Sequence, residues 1–262
     1  MPKFTKLAIK LSARWRKEQD AMTSLSININ KIALLRNSRG RNYPDLGTFA
    51  ARLLSLGADG ITLHPRPDQR HARYQDVKDL APICNEYGKE LNVEGYPTLE
   101  FLAVVKQVLP AQCTLVPDSP EQLTSDHGWD FSRDLRFLRG AIAELKDLGI
   151  RTSLFADYDC ATLESSLETG VDRIELYTGP YAQSYGSSKG EVIFGGFSNA
   201  ARTVQKAGIG VNAGHDLNLA NLPHFLDIPE VLEVSIGHGF VVECIEQGVE
   251  RVMARYLDIC RS

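Results

Sequence analysis

A short pattern recurs along the chain, and its first copy is Ser55-Leu-Gly-Ala-Asp-Gly-Ile-Thr-Leu-His64. In each copy a helix-like segment ends in a glycine, and a short apolar run follows within a few residues. The glycine supplies the left-handed backbone conformation that closes a helix, and the chain is then free to extend as a strand. Later copies are built around four further glycines, Gly88, Gly149, Gly170 and Gly208. Repeated junctions of this kind predict strands that alternate with helices, and therefore a parallel sheet.

Eight strands, each followed by a helical stretch, can be drawn on this pattern. The predicted strands are 25–32, 60–64, 91–95, 113–117, 151–157, 173–178, 210–214 and 231–237. The predicted helices are 45–57, 75–88, 98–108, 132–149, 159–169, 189–207, 218–226 and 240–260. This count predicts an α/β fold, a (β/α)8 TIM barrel in a single domain over residues 22–262. An open doubly wound sheet is the alternative, but the first strand lacks a GxGxxG turn and polar residues follow nearly every strand.

Composition narrows the class of protein. The chain has 262 residues, of which 43% are hydrophobic and 24% are charged, with a net charge of −4. This balance is typical of a globular protein and argues against a nucleic-acid surface. No apolar run approaches the ~20 residues of a membrane span, so no membrane contact is expected. The five cysteines are scattered without metal spacing, which favours free thiols in a reducing, cytoplasmic compartment.

The first 21 residues are rich in lysine and arginine and precede the first predicted strand. We expect residues 1–21 to be an extension that is disordered or loosely helical and takes no part in catalysis. A basic start with few acidic residues also suits an organelle transit peptide, which is the alternative for this segment.

Catalytic groups of a barrel lie at the C-terminal ends of its strands, and this chain has polar residues there. His64 ends the second predicted strand, and Arg66, Arg70 and His71 follow within seven residues. Several cations on one loop repel each other unless an anion binds between them, so this loop predicts a phosphate or carboxylate site. A structural histidine and a solvated basic loop are the alternatives.

Two inward-facing carboxylates are candidates for acid–base chemistry. Glu94 ends the third predicted strand, where partial desolvation should raise its pKa and make it a general acid or base. A structural ion pair with an arginine of a neighbouring loop is the alternative. Glu175 faces inward on the sixth strand. A catalytic role and a role in supporting the catalytic residues are equally compatible with this position.

The turns after strands 7 and 8 both contain a Gly-His pair. These turns read Val211-Asn-Ala-Gly-His-Asp216 and Ser235-Ile-Gly-His-Gly239. Barrels often bind phosphate at these positions through backbone N–H groups and a helix N-terminus. The two turns therefore predict a phosphate site, and no spacing of ligand residues predicts a metal site.

Several blocks of the sequence together resemble one enzyme family. They are Asn28-Ile-Asn-Lys-Ile-Ala-Leu-Leu-Arg-Asn-Ser-Arg-Gly40, Gly57-Ala-Asp-Gly-Ile-Thr-Leu-His-Pro-Arg-Pro-Asp-Gln-Arg-His71, Leu115-Val-Pro-Asp118, Asn212-Ala-Gly-His215 and Ile236-Gly-His238. In this order they are similar to pyridoxine 5'-phosphate synthases from about residue 25 to the C-terminus. The resemblance implies a barrel that works without a metal or an organic cofactor and assembles as a homo-octamer. Such enzymes condense 1-deoxy-D-xylulose 5-phosphate with 3-amino-2-oxopropyl phosphate and release pyridoxine 5'-phosphate, phosphate and water.

The resemblance also implies roles for individual residues. The acid–base residues would be His64, Glu94 and His215. The amino ketone phosphate would be held by Asn28, Arg39, Asp216, Gly237 and His238, and the sugar phosphate by Asn30, Lys31, Arg66, His71 and Thr124.

The chain departs from the family pattern at three places. Asn30-Lys31 stands where most members have Asp-His, Asp216 where glycine is common, and Tyr177 where histidine often lies. We expect the Asp216 backbone N–H to bind phosphate while its carboxylate points away. Two other functions remain alternatives: a class I aldolase-like barrel with Lys31 as the Schiff-base lysine, and a non-catalytic sugar-phosphate binding protein.

Overall fold

The computed structural model describes residues 22–118, 122 and 124–262. Its strands are β1 Ser24–Asn28, β2 Gly60–Leu63, β3 Glu90–Gly95, β4 Gln112–Leu115, β5 Arg151–Ala156, β6 Arg173–Tyr177, β7 Gly210–Gly214 and β8 Val231–Ile236. They pair in chain order, every pair is parallel, and β8 pairs with β1 to close the barrel. The closed barrel confirms the predicted (β/α)8 fold and excludes the open doubly wound sheet.

Helices surround the barrel. They are α1 Asn30–Asn37, α2 Leu46–Ser55, α3 Tyr74–Glu86, α4 Leu99–Val108, α5 Phe131–Lys146, α6 Gly179–Ser184, α7 Ser188–Lys206, α8 Leu222–Phe225, α9 His238–Gln247 and α10 Val249–Arg261. A 3-10 helix, Leu163–Thr169, stands between β5 and β6. In the part of the chain that is described, no helix has both the length and the apolar character needed to cross a bilayer.

Successive side chains of each strand point alternately towards the surrounding helices, where they form an apolar layer, and into the barrel, where they form a polar interior. Ile27, Ile61 and Val93 are fully buried in the hydrophobic core. The interior instead contains hydrogen bonds between opposite strands, such as the one from Gln112 Nε2 to Glu233 Oε1 at 3.2 Å. Barrel interiors are more often filled by bulky aliphatic residues. This polar interior extends up to the mouth, where it forms the floor of the site.

The structure differs from the predicted elements where local hydrogen bonds end a strand or a helix. β1 was expected to run to residue 32, but the Asn30 N–H donates to Asn28 Oδ1 at 3.1 Å and α1 begins there. The predicted helix 240–260 is two helices, α9 and α10, because Gly248 has a φ of 86° and cannot continue a helix. The stretch 159–169 is largely a 3-10 helix, and 218–226 contains only the single turn α8. The prediction for residues 1–21 lies outside the described residues.

Candidate active site

A cavity of about 130 Å³ opens at the C-terminal ends of the strands. Most of the predicted site residues line it, although they come from distant parts of the sequence. These are Asn28, Asn30, Lys31, His64, Arg66, His71, Glu94, His215, Asp216, Gly237 and His238. Thr124 is exposed but its Oγ1 lies 3.0 Å from His215 Nε2. Arg39 is exposed on the loop after α1 and is not among the residues that line the cavity.

The end of β1 orients two of the predicted acid–base residues. Asn30 Oδ1 accepts the backbone N–H of His64 at 2.9 Å. Asn28 Nδ2 donates to Glu94 Oε2 at 3.3 Å, and Asn28 Oδ1 accepts from the Asn30 N–H. Asn28 and Asn30 thereby connect the ends of β1, β2 and β3, so a ligand that contacts them also lies next to both candidate catalytic groups.

Glu94 and Glu175 are buried carboxyl groups whose pKa values are raised. Burial is the main cause for Glu94, and the carboxylates of Asp118 and Glu233 add to it. Burial again leads for Glu175, followed by repulsion from Glu94. Both groups are therefore held in or near the protonated form, as a general acid requires. Among the described residues, Glu94 accepts a hydrogen bond from Asn28, and the nearby Arg66 pairs with Asp118 rather than with Glu94.

The rings of His64 and His71 lie edge to face, with their centroids 6.3 Å apart. Burial and the neighbouring cations, Arg66 first, lower the pKa of His64 well below its ordinary value. The same causes lower the pKa of His71 to about 4. Both imidazoles are therefore neutral at pH 7, so His64 can accept a proton from a ligand. The Ala72 N–H donates to His71 Nδ1 at 2.9 Å, which leaves the His71 proton on Nε2.

The basic loop after β2 is held by buried ion pairs. Arg66 pairs with Asp118, and its Nη1 donates to the Gln122 carbonyl at 2.9 Å. Arg36 of α1 pairs with Asp76 of α3, with Nη2 to Oδ2 at 2.9 Å, and both side chains are buried. The Arg66 charge thus already has a partner, so repulsion between loop cations is smaller than the sequence argument assumed.

The turn after β7 has an unusual backbone. His215 and Asp216 have φ values of 90° and 59°, which are left-handed conformations. The Asp216 carboxylate contacts the neighbouring imidazole, with its Oδ2 3.0 Å from His215 Nδ1. The Tyr177 ring meets the His215 ring edge-on, with centroids 5.0 Å apart. Asp216 and Tyr177, two of the residues that depart from the family pattern, thus both contact the imidazole of His215.

The N-terminus of α9 also opens on the cavity. Gly237 precedes the helix and His238 is its first residue. A Cβ on Gly237 would lie 3.2 Å from the Asn28 Cβ, so a larger residue would press on the end of β1. N–H groups at a helix N-terminus favour anions, so this end of α9 is where the predicted phosphate site would lie.

Other residues of the cavity carried little signal in the sequence. Ser125 Oγ donates to Asp118 Oδ2 at 2.8 Å, and Leu34, Val116 and Phe155 form an apolar wall. Phe155 and Val116 could have been identified only by their places at the ends of β5 and β4. Among the residues described, no group of three or more His, Cys, Asp or Glu side chains is arranged to hold a metal ion.

Comparisons with known proteins identify the family of the chain. Residues 25–262 match the family described as pyridoxal phosphate biosynthesis protein PdxJ. The pyridoxine 5'-phosphate synthase of Xylella fastidiosa (strain M12) is 47% identical over 248 residues, which cover 92% of this chain and 95% of the relative. The Bacteroides thetaiotaomicron enzyme of the same name is 47% identical over 241 residues, which cover 92% of this chain and 100% of the relative.

Solved structures agree on the fold alone. Thiamine phosphate pyrophosphorylase from Pyrococcus furiosus superposes with a TM-score of 0.60 at 14% identity, covering 92% of this chain and 96% of that chain. N-(5'-phosphoribosyl)anthranilate isomerase from the same organism gives a TM-score of 0.54 at 10% identity, covering 91% and 98%.

Proposed function

The chain belongs to the PdxJ family of pyridoxal phosphate biosynthesis proteins, and from this membership we propose how its barrel mouth acts as a pyridoxine 5'-phosphate synthase. The enzyme is a transferase that joins 1-deoxy-D-xylulose 5-phosphate to 3-amino-2-oxopropyl phosphate and releases pyridoxine 5'-phosphate, phosphate and water. No cofactor is assigned to this chemistry.

A single observation carries the proposal: His64, Glu94 and His215 line one cavity from three different strand ends. Joining an amine to a ketone, losing phosphate and closing a ring require proton transfers at several atoms of one intermediate. Groups on separate strands can reach different faces of that intermediate, and each can contribute ~10²–10⁴-fold in rate. A barrel that only bound sugar phosphates would not need them together.

The protonation states suggest a division of roles. His64 is neutral at pH 7 because its pKa is lowered, and it serves as a base that removes a proton from carbon. Glu94, whose pKa is raised, exchanges protons with the intermediate in both directions. His215 protonates the oxygens that leave as phosphate and water. Glu175 lies at the same cavity, and repulsion from Glu94 helps to raise the pKa of Glu175, so Glu175 keeps a proton close to Glu94.

The substrates are assigned to two sides of the mouth. The amino ketone phosphate lies between Asn28 and the turns of β7 and β8, with its phosphate on the N–H groups of Asp216, Gly237 and His238. The sugar phosphate lies against the remaining predicted residues, Asn30, Lys31, Arg66, His71 and Thr124. The role of Arg39 rests on the resemblance alone.

We also propose a cytoplasmic homo-octamer. All five cysteines are free, and three of them are buried, as suits a reducing compartment. The oligomeric state rests on the resemblance, and light scattering of the purified chain would test it.

The direct test is to mix both substrates with the purified chain and follow the absorbance of pyridoxine 5'-phosphate. We expect product with the native chain and none above background with His64→Asn. Binding of either phosphate without product would favour a sugar-phosphate sensor and refute the proposal.

Borohydride reduction during turnover tests the aldolase alternative. Lys31 is exposed at the rim, whereas a Schiff-base lysine is usually activated by a desolvated pocket or a second cation. We therefore expect no substrate to become attached to the protein. A borohydride-trapped adduct on Lys31 would replace the proposed mechanism with aldolase chemistry.

A further inference from the structure

The side chain of Asp216 makes contacts beyond the phosphate binding proposed for its backbone. Its Oδ2 lies 3.0 Å from His215 Nδ1, and the residue is half-buried at the mouth. The left-handed backbone of both residues costs energy for side chains other than glycine. The Thr178 hydroxyl holds this turn by contacting the carbonyl oxygens of Gly214, at 2.8 Å, and of His215. The surroundings thus maintain a strained turn that brings carboxylate and imidazole together.

The contact determines which nitrogen of His215 carries the proton. An ionised carboxylate can only accept a hydrogen bond, so Nδ1 must be the donor. The hydrogen bond from His215 is the main cause that lowers the pKa of Asp216, and the charges of His238 and Lys31 add to it. Asp216 is therefore ionised at neutral pH. Nε2 is left to face other groups, and in this structure it lies 3.0 Å from Thr124 Oγ1.

We propose that the Asp216 side chain is a positioning residue that holds His215 with Nδ1 protonated and Nε2 directed at the substrate. The catalytic meaning of this arrangement rests on the proposed function, in which His215 delivers protons to leaving oxygens. A neighbouring carboxylate also stabilises the positive charge that an imidazole gains when its second nitrogen is protonated. Tyr177, edge-on to the ring at 5.0 Å between centroids, limits its rotation from another side.

The chain contains a matched pair that allows a control. His224 Nδ1 also lies 3.0 Å from a carboxylate oxygen, Oδ2 of Asp227. His224 belongs to α8 and stacks on Phe194 with centroids 4.2 Å apart, and it is not among the residues that line the mouth. Removing the Asp227 carboxylate breaks the same kind of contact without touching the site.

Asp216→Gly is the decisive variant. Glycine suits the φ of 59°, and the backbone N–H proposed to bind phosphate is kept. In the native protein labelled with 15N-histidine, we expect the His215 signals to show a protonated Nδ1, with His215→Gln providing the assignment. In Asp216→Gly this preference should be lost, and kcat should fall about tenfold or more while KM for each substrate stays within about threefold. Asp227→Ala should change neither the His215 signals nor kcat.

Three results would overturn the proposal. The first is that the 15N signals of His215 are the same in Asp216→Gly as in the native chain. The second is that the kcat of Asp216→Gly equals the native value. The third is that only KM changes in Asp216→Gly, which would make the carboxylate a binding group. The nitrogen signals are recorded without turnover, so they test the positioning role even if the native chain fails to make pyridoxine 5'-phosphate.

Discussion

Replacing Glu94 with Gln should abolish most turnover while keeping the shape of the site. The amide oxygen can still accept the hydrogen bond that Asn28 Nδ2 donates at 3.3 Å, but the side chain can no longer exchange a proton. One acid–base group contributes ~10²–10⁴-fold, so kcat should fall by about that factor. This corresponds to about 3–5 kcal/mol of lost transition-state stabilisation.

The same change should stabilise the fold at higher pH. Burial and the neighbouring carboxylates raise the pKa of Glu94 in the folded state, whereas an unfolded Glu ionises near ~4.3. Above that pH the folded chain binds more protons than the unfolded chain, so native stability falls as the pH rises, until the folded group also ionises. The loss is about 1.4 kcal/mol per pH unit, or on the order of 3–5 °C in Tm. Glutamine does not ionise, so the variant does not lose stability in this way. The Tm of Glu94→Gln relative to that of the native chain should therefore increase from pH 5 to pH 8.

Steady-state kinetics with both substrates saturating and calorimetry at several pH values measure the two effects. Glu164→Gln is the control, because Glu164 is exposed on the 3-10 helix and should change neither kcat nor the pH dependence of Tm. Turnover within twofold of the native chain would refute the acid–base role. A Tm difference that is equal at every pH would refute the raised pKa.

Three further predictions follow from buried contacts around the site. Arg36→Met leaves the Asp76 carboxylate buried without its partner, so urea unfolding should show a loss of about 3–5 kcal/mol. The double variant with Asp76→Asn keeps an acceptor for the Arg73 N–H, which lies 2.7 Å from Asp76 Oδ2, and should recover most of this loss. A single-variant loss below about 1 kcal/mol would contradict the prediction. The Cβ of Gly214→Ala would lie 2.3 Å from Glu175 Oε1, so the Glu175 side chain must move. We expect kcat to fall about 10–100-fold because of this displacement. A kcat equal to the native value would show that turnover does not depend on the position of Glu175. The pKa of His71 is lowered to about 4, so between pH 6.5 and that value the unfolded chain binds more protons and native stability falls with acidification. In the native chain this loss is about 1.4 kcal/mol per pH unit, and the His71→Asn variant should lack it. Chemical denaturation of both chains at pH 7 and pH 5 measures the difference. If the stability of the variant and of the native chain changed equally with pH, the prediction would be contradicted.

The positions of most strands and of the helix ends before them followed from the sequence because their causes are local. The five glycines of the recurring pattern all have a positive φ, between 62° and 109°, as the helix-closing role requires. The end of β1 was placed too late because the Asn28 side chain, rather than a glycine or proline, starts the next helix. Side-chain hydrogen bonds of this kind leave no pattern that a single sequence displays.

The sequence by itself determined the alternation of strands and helices, the family, and which polar residues lie at strand ends, because neighbours along the chain control these properties. Tertiary structure alone decided the partners of those residues. Arg66 and Asp118 are 52 positions apart in the chain yet form a buried pair, and Glu94 raises the pKa of Glu175 across the barrel. The direction of the Asp216 carboxylate likewise depends on a strained turn held by Thr178. Closure of the barrel fixes these distances, and electrostatic interactions in a buried site depend on distance rather than on sequence separation.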